Sequence, residues 1–210
     1  MTNPQQSSQQ QPQPRIVLAS QSPSRAGILR SAGVEPVIAP ADVDETAIQR
    51  QLAGSTPAEV VTALAQAKAQ AIAAAYPDDV VIGGDSMLLL DGQLQGKPHT
   101  EQATVERWHA QAGRRAELLT GHCLLYDGEV YTEAATTKIA FAQANAEDIA
   151  AYAATGEPWE CAGAFTLEAL GGWFIERIDG DPSSVIGLSL PVVRRALYHF
   201  GFGVADFWNR

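Results

Sequence analysis

Apolar positions along the chain come in short blocks, some contiguous or alternating as in strands, others spaced as one face of a helix. Ile16-Val17-Leu18 predicts a strand over about Arg15–Ala19. A Ser-rich turn and a helix over about Pro23–Ala32 follow, with Ile28-Leu29 on the buried side. Ser22 suits the N-cap and Pro23 the first helical position. A second extended run covers Val34–Ala39, and the polar stretch ADVDETAIQRQLAGST leads to Pro57 and a long Ala-rich helix ending near Tyr76. VVIGGDSMLLL, apolar on both sides of its centre, reads as a buried central strand. Asp91-Gly92 and Asp127-Gly128 are hairpin turn signals, with a helix over Glu101–Ala112 between them. Strands over Leu118–Tyr126 and Val130–Ala142 meet at the second turn. A helix over Ala146–Thr155, strands around Ala162–Leu167 and Trp173–Ile178, and a helix from near Pro191 complete the pattern. These elements predict one mixed α/β domain over residues 15–210 whose sheet includes antiparallel hairpins. No GxGxxG follows a strand, which disfavours an all-parallel dinucleotide-binding sheet.

Composition narrows the partners. The net charge is −10, with 24 acidic against 14 basic residues and no basic block, so nucleic acid polymers and anionic membranes are poor partners. A small anion remains open to binding through a few local cations. Cys123 and Cys161 form neither a CxxC nor a metal-ligand spacing, so the expected compartment is a reducing cytoplasm. No apolar run reaches the roughly 18 residues of a membrane span. Residues 1–14, MTNPQQSSQQQPQP, lack the basic start and apolar middle of a signal peptide, and their Gln/Pro-rich composition predicts a disordered tail.

The chemistry is carried by charges on apolar faces. Arg25 takes the third position of the first helix, where a capping box would place Glu or Gln. A cation there opposes the helix dipole unless an anion binds at the helix N-terminus. In the helix after Pro57, Lys68 lies four residues after Leu64 and four before Ile72, on the apolar stripe. It either snorkels to the edge or aims its ammonium into a site. Asp85 sits inside the central strand, where a carboxylate must be paired, metal-bound or protonated. Gly83-Gly84 before it allows a ligand or a neighbouring backbone to come close. Asp42, Asp44 and Glu45 make a loop-borne acidic cluster or a solvated turn, and Lys97 in QGKPH is a site cation or a turn lysine. Carboxylates suited to Mg²⁺ and cations suited to polyphosphate together predict a metal-assisted phosphate-ester or phosphoanhydride site.

LASQSPSR, then VDE, ALAQAKA and VIGGDS…GKP, resembles the Maf family of nucleoside triphosphate pyrophosphatases, as does TGEPWECAGAFTLEALGGWFIERIDGDPSSVIGLSLP. The resemblance runs in order from about Arg15 to Phe200. It implies an elongated mixed sheet with a cleft between two lobes, like inosine triphosphate pyrophosphatases. The implied reaction is divalent-metal-dependent (Mg²⁺ or Mn²⁺) cleavage of a nucleoside triphosphate to the monophosphate and pyrophosphate. Carried over, Ser20, Ser22 and Arg25 would hold phosphates, Glu45 and Asp85 would bind metal, and Lys68 and Lys97 would neutralise the triphosphate. Asp85 would also accept the proton, and Ser86 would keep a hydroxyl beside it toward substrate. A homodimer is implied by resemblance only.

Departures from the family pattern bear on the base. Ser22-Pro23-Ser24-Arg25 stands where many members have SPRR, which removes one cation. Cys161-Ala162-Gly163-Ala164-Phe165 and Glu168 stand where one branch has KAGxYxxQG, a segment the family links to base recognition. Cys161 and Glu168 resemble the branch acting on 7-methylguanosine triphosphate. A carboxylate such as Glu168 accepts hydrogen bonds from a guanine edge, whereas an amide both donates and accepts. The alternatives to a general nucleoside triphosphate pyrophosphatase are thus one restricted to that methylated nucleotide, or a nucleotide-binding regulator of septum formation with little turnover. His99, His109, His122 and His199 have no metal-site spacing.

Overall fold

The computed structural model describes residues 13–209, so most of the tail predicted at residues 1–14 lies outside the described residues. The strands are β1 (Ile16–Leu18), β2 (Val37–Ile38), β3 (Val80–Leu90), β4 (Gln93–Gln95), β5 (Arg115–Tyr126), β6 (Glu129–Phe141) and β7 (Ile175–Asp179). The helices are α1 (Pro23–Ser31), α2 (Glu45–Gln51), α3 (Pro57–Ala73), α4 (Glu101–Gln111), α5 (Ala146–Ala154), α6 (Pro182–Ile186) and α7 (Leu190–His199). The strands form one mixed sheet in the order β2-β1-β3-β5-β6-β7, with β4 paired to β3 off that path. β2, β1 and β3 run parallel, and β3, β5, β6 and β7 alternate antiparallel. Both Asp-Gly hairpin signals hold, with Asp91 and Asp127 at positive φ in the turns.

β3 organises the rest. One face of it, with Val81 and Met87, packs under α3 alongside Val61, Leu64, Ala65 and Ala69. The helix comes so close that a Cβ at Gly83 would lie 2.0 Å from the carbonyl oxygen of Ala65, and one at Gly121 of β5 would lie 2.2 Å from that of Val61. Glycine is required at both places for the helix to seat. The other face is covered by α1 and α7 around Leu18, Ile82 and Leu197. Farther along, α4 and α5 cover it around Leu88, Trp108 and Ile139.

On the side away from β5, β3 pairs with β1 only at Val80–Ile82 and with β4 only at Leu88–Leu90. Residues 83–87 therefore have no strand neighbour on that side, among the described residues. Asp85 and Ser86, two of the predicted site residues, lie in this gap.

Three expectations are corrected. The polar stretch after the second strand contains a helix, α2, invisible to an apolar-stripe reading because none of its residues is buried. Glu45 opens it and Asp44 caps it, the Asp44 carboxylate accepting from the Ala47 N–H at 2.9 Å, so these acids are not loop-borne. Ala162–Leu167 forms no strand. Gly163 and Ala164 both have positive φ, and the segment makes a 3₁₀ turn held by Trp108, whose indole N–H donates to the Ala164 carbonyl at 2.7 Å. The strand expected over Trp173–Ile178 begins two residues later, because Leu170–Phe174 is also a 3₁₀ turn.

Candidate active site

α1 starts as its sequence requires. Ser22 Oγ accepts from the Arg25 N–H at 3.4 Å and Pro23 holds the first position. The Arg25 side chain then passes between two glycines: a Cβ at Gly84 would lie 3.3 Å from its Nε, and one at Gly187 3.4 Å from its Cγ. Its Nε donates to the Gly187 carbonyl at 2.7 Å, Nη1 to Ser20 Oγ at 3.1 Å and Nη2 to Ser86 Oγ at 3.2 Å. Ser20 Oγ also accepts the Ser22 N–H at 3.1 Å. Burial pulls the guanidinium below its ordinary pKa, with Asp85 and Glu45 opposing the shift.

On the opposite face of β3, Lys68 Nζ lies 2.6 Å from Asp85 Oδ1 and 2.8 Å from Glu45 Oε1. Lys68 thus joins α3, β3 and α2, and the apolar stripe does aim an ammonium inward. Asp85 is buried, and its Oδ2 has no hydrogen-bond partner. Burial raises its pKa above the ordinary carboxylate range, with Lys68 and Arg25 opposing. These contacts join Ser20, Ser22, Arg25 and Ser86 on one face of β3 and Glu45, Lys68 and Asp85 on the other. The two clusters meet at the adjacent positions Asp85 and Ser86 in the gap, although their members spread over 67 positions of the sequence.

Lys97 and Glu168 stand on a second, more open wall. Lys97 Nζ pairs with Glu160 at 3.2 Å, and the same carboxylate meets His99 Nδ1 at 3.0 Å. Glu168 Oε1 accepts the Ser24 hydroxyl at 3.0 Å, which ties this wall to the first turn of α1. Cys161 feels both Lys97 and Glu168, its thiol pushed up to about 11 by burial first and by Glu168 and Glu157 next, with Lys97 opposing. That thiol is not poised as a nucleophile.

The family described as Maf-like protein matches residues 15–200. The chain belongs to the Maf family. A nucleoside triphosphate pyrophosphatase of Corynebacterium aurimucosum is 75% identical over 194 residues, covering 92% of this chain and 98% of its own. One of Corynebacterium diphtheriae is 68% identical over 194 residues, with the same coverage of both chains. One of Nocardia farcinica is 54% identical over 204 residues, covering 92% and 96%. The solved structure of the Staphylococcus aureus Ham1 protein overlaps 61% of this chain and 72% of its own at 22% identity, with a TM-score of 0.42.

In this Maf protein, no group of three or more His, Cys, Asp and Glu side chains is arranged to hold a metal, among the described residues. Two carboxylates do converge: Glu45 and Asp85 meet at the Lys68 ammonium, and Asp85 Oδ2 is buried and unpartnered. That donor set fits Mg²⁺, which binds through one or two carboxylates and completes its octahedron with substrate phosphates and water. No helix among the described residues is long and apolar enough to cross a membrane.

Three contributors escaped sequence reasoning. Gly187 accepts from Arg25, 162 positions away, Thr120 meets Ser86 from 34 positions away, and Ser184 accepts from Thr120 from 64 positions away. Such separations leave no local signal. His122 is fully buried and neutral, its Nε2 accepting the Ser189 N–H at 2.8 Å and its pKa brought down to about 4 chiefly by burial.

Proposed function

We propose that this Maf protein is a nucleoside triphosphate pyrophosphatase that cleaves between the α- and β-phosphates with the help of a divalent cation. The names of the relatives at 54–75% identity support the reaction class. The observation that carries the mechanism is the Lys68–Asp85 pair with its unpartnered Asp85 Oδ2, within electrostatic reach of Arg25 across β3. Lys68 holds one carboxylate oxygen, which leaves the other to accept a proton from an attacking water. The new water-oxygen–α-phosphorus bond forms in line as the α–β bridging P–O bond breaks, and pyrophosphate leaves with the bond electrons. The proton taken by Asp85 then returns to solvent.

Arg25, in place beside the helix N-terminus, binds and orients the phosphate chain, and Lys97 leaves Glu160 to meet it. A divalent cation held by Glu45, with Asp85 as its second ligand whenever Oδ2 is not carrying the proton, would supply charge neutralisation to the triphosphate. Most of the rate enhancement then comes from positioning and charge stabilisation.

A narrower reading is favoured by Glu168. Its carboxylate, held by Ser24, suits a base edge that donates two hydrogen bonds, as guanine and 7-methylguanine do. The test is pyrophosphate release from a panel of canonical and modified nucleoside triphosphates with Mg²⁺, Mn²⁺ or EDTA. Metal-dependent turnover of one or a few members is expected. Nucleotide binding without turnover across the panel would replace the enzyme by a nucleotide-binding regulator.

A further inference from the structure

Arg25 is held from behind by a chain of hydroxyls whose direction can be assigned. Arg25 Nη2 donates to Ser86 Oγ at 3.2 Å, and a guanidinium has no acceptor to offer in return. Thr120 Oγ1 donates to the Ser184 carbonyl at 2.9 Å, since a carbonyl can only accept. The Ser86–Thr120 contact, 3.0 Å long, is open in either direction by distance alone. The Thr120 proton is already committed to Ser184, so Ser86 must donate to Thr120. The two hydroxyls then each donate once and accept once: guanidinium to Ser86, Ser86 to Thr120, Thr120 to the backbone of α6. Chains with one sense polarise each other and are stronger than isolated pairs.

The segment that ends this chain also holds the other side of the same side chain, because Gly187, one residue past α6, accepts from Arg25 Nε at 2.7 Å. Arg25 is therefore gripped at Nε and Nη2 by one short piece of backbone, directly at one end and through two hydroxyls at the other. Thr120 is fully buried on β5, on the face of the sheet that carries Ser86, and has no route to substrate.

We propose that Thr120 is a positioning residue for phosphate binding: through Ser86 it sets the guanidinium of Arg25 so that its remaining N–H groups face the triphosphate. The inference rests on the reading of Arg25 as a phosphate ligand. It asks why a hydroxyl is needed at a buried position where valine would pack as well. Removing that hydroxyl leaves Ser86 without an acceptor, and Ser86 then turns to another partner and releases Nη2.

The test uses the full chain with Thr120→Val, Thr120→Ser and Ser86→Ala. Turnover of the preferred nucleoside triphosphate and calorimetric binding of inorganic tripolyphosphate are both measured. Thr120→Val is expected to raise KM and to weaken tripolyphosphate binding about five-fold, the effect of one net hydrogen bond, with a smaller change in kcat. Thr120→Ser restores both values. In an Arg25→Ala background Thr120→Val adds nothing, because the group it positions is gone. An unchanged KM in Thr120→Val, or effects of Thr120→Val and Arg25→Ala that multiply, overturns the proposal. Should Thr120→Val fail to fold, Ser86→Ala breaks the same chain at an incompletely buried position and must raise KM similarly. A wild-type chain that turns over no nucleotide removes the pyrophosphatase reading alone, and the tripolyphosphate series still decides the role of Thr120.

Discussion

The inner corner of the site and its outer wall are built on opposite plans. In the inner corner, Arg25, Lys68 and Asp85 are partnered by groups from α2, α3, β3 and the turns after β1 and α6, and Asp85 is 6% exposed. On the outer wall, Lys97 and Glu160 have side chains 51% and 67% exposed, and their contact is an ordinary surface ion pair. On the proposed function, the difference matches the two halves of a nucleoside triphosphate. The phosphate chain is the same in every such substrate and rewards a rigid, prearranged set of charges. The base varies, and an exposed wall of turns can change its side chains without disturbing the core.

Asp85→Asn should break the inner corner most severely, with turnover down at least about 100-fold and nucleotide binding retained, the scale of a lost general base. Near-normal turnover would remove Asp85 from the mechanism. The same variant carries a stability signature. Burial raises the folded pKa of Asp85 above its unfolded value, so the ionised group costs stability as pH rises through the folded value. Asp85→Asn should therefore melt at or above the wild-type temperature near neutral pH, and the acid limb of wild-type turnover should lie above the ordinary carboxylate range. A lower melting temperature would mean that the Lys68 contact outweighs burial.

Arg25→Ala comes next, with KM raised roughly ten- to a hundredfold through the loss of charge-assisted bonds to phosphate. An unchanged KM would undo the reading of α1. Glu168→Gln addresses the outer wall. It should shift the ratio of kcat/KM between the preferred base and its competitors by about tenfold, with little change in tripolyphosphate binding. An equal loss across all bases would return Glu168 to a purely structural part. Glu160→Gln should have the smallest effect, lowering KM by about twofold as Lys97 is released, since exposed ion pairs contribute little. A large rise in KM would mean that Glu160 itself supports the site.

Much of this was legible before any coordinates, where local pattern and chemistry agreed. The run VVIGGDSMLLL became β3 residue for residue, and Asp85 and Lys68, each misplaced for an apolar face, found each other. Of the two readings of the Gly83-Gly84 pair, close approach of a neighbouring backbone holds at Gly83, which admits α3, while Gly84 makes room for the Arg25 side chain. What stayed hidden was non-local or lacked a core-facing stripe. α2 is held by its Asp44 cap and by Glu45 reaching Lys68, with no buried residue to mark it. Ala162–Leu167 has strand-like composition, but positive φ at Gly163 and Ala164 and the bond from Trp108 override local preference. Gly187, Thr120 and Ser184 carry no charge and stand far from Arg25 in sequence, so only the closed sheet brings them under it.

The five-residue gap along β3 also shapes how this protein breathes. Backbone groups at 83–87 that face away from β5 have no strand to shield them, while both flanks of the same strand are locked into the ladder. Those amide protons of the window that point away from β5 can exchange through smaller openings than the flanks, which are paired on both sides. If the proposed site is right, exchange there is a gauge of occupancy: a nucleotide lying along the gap would slow it, with the rest of the fold unmoved.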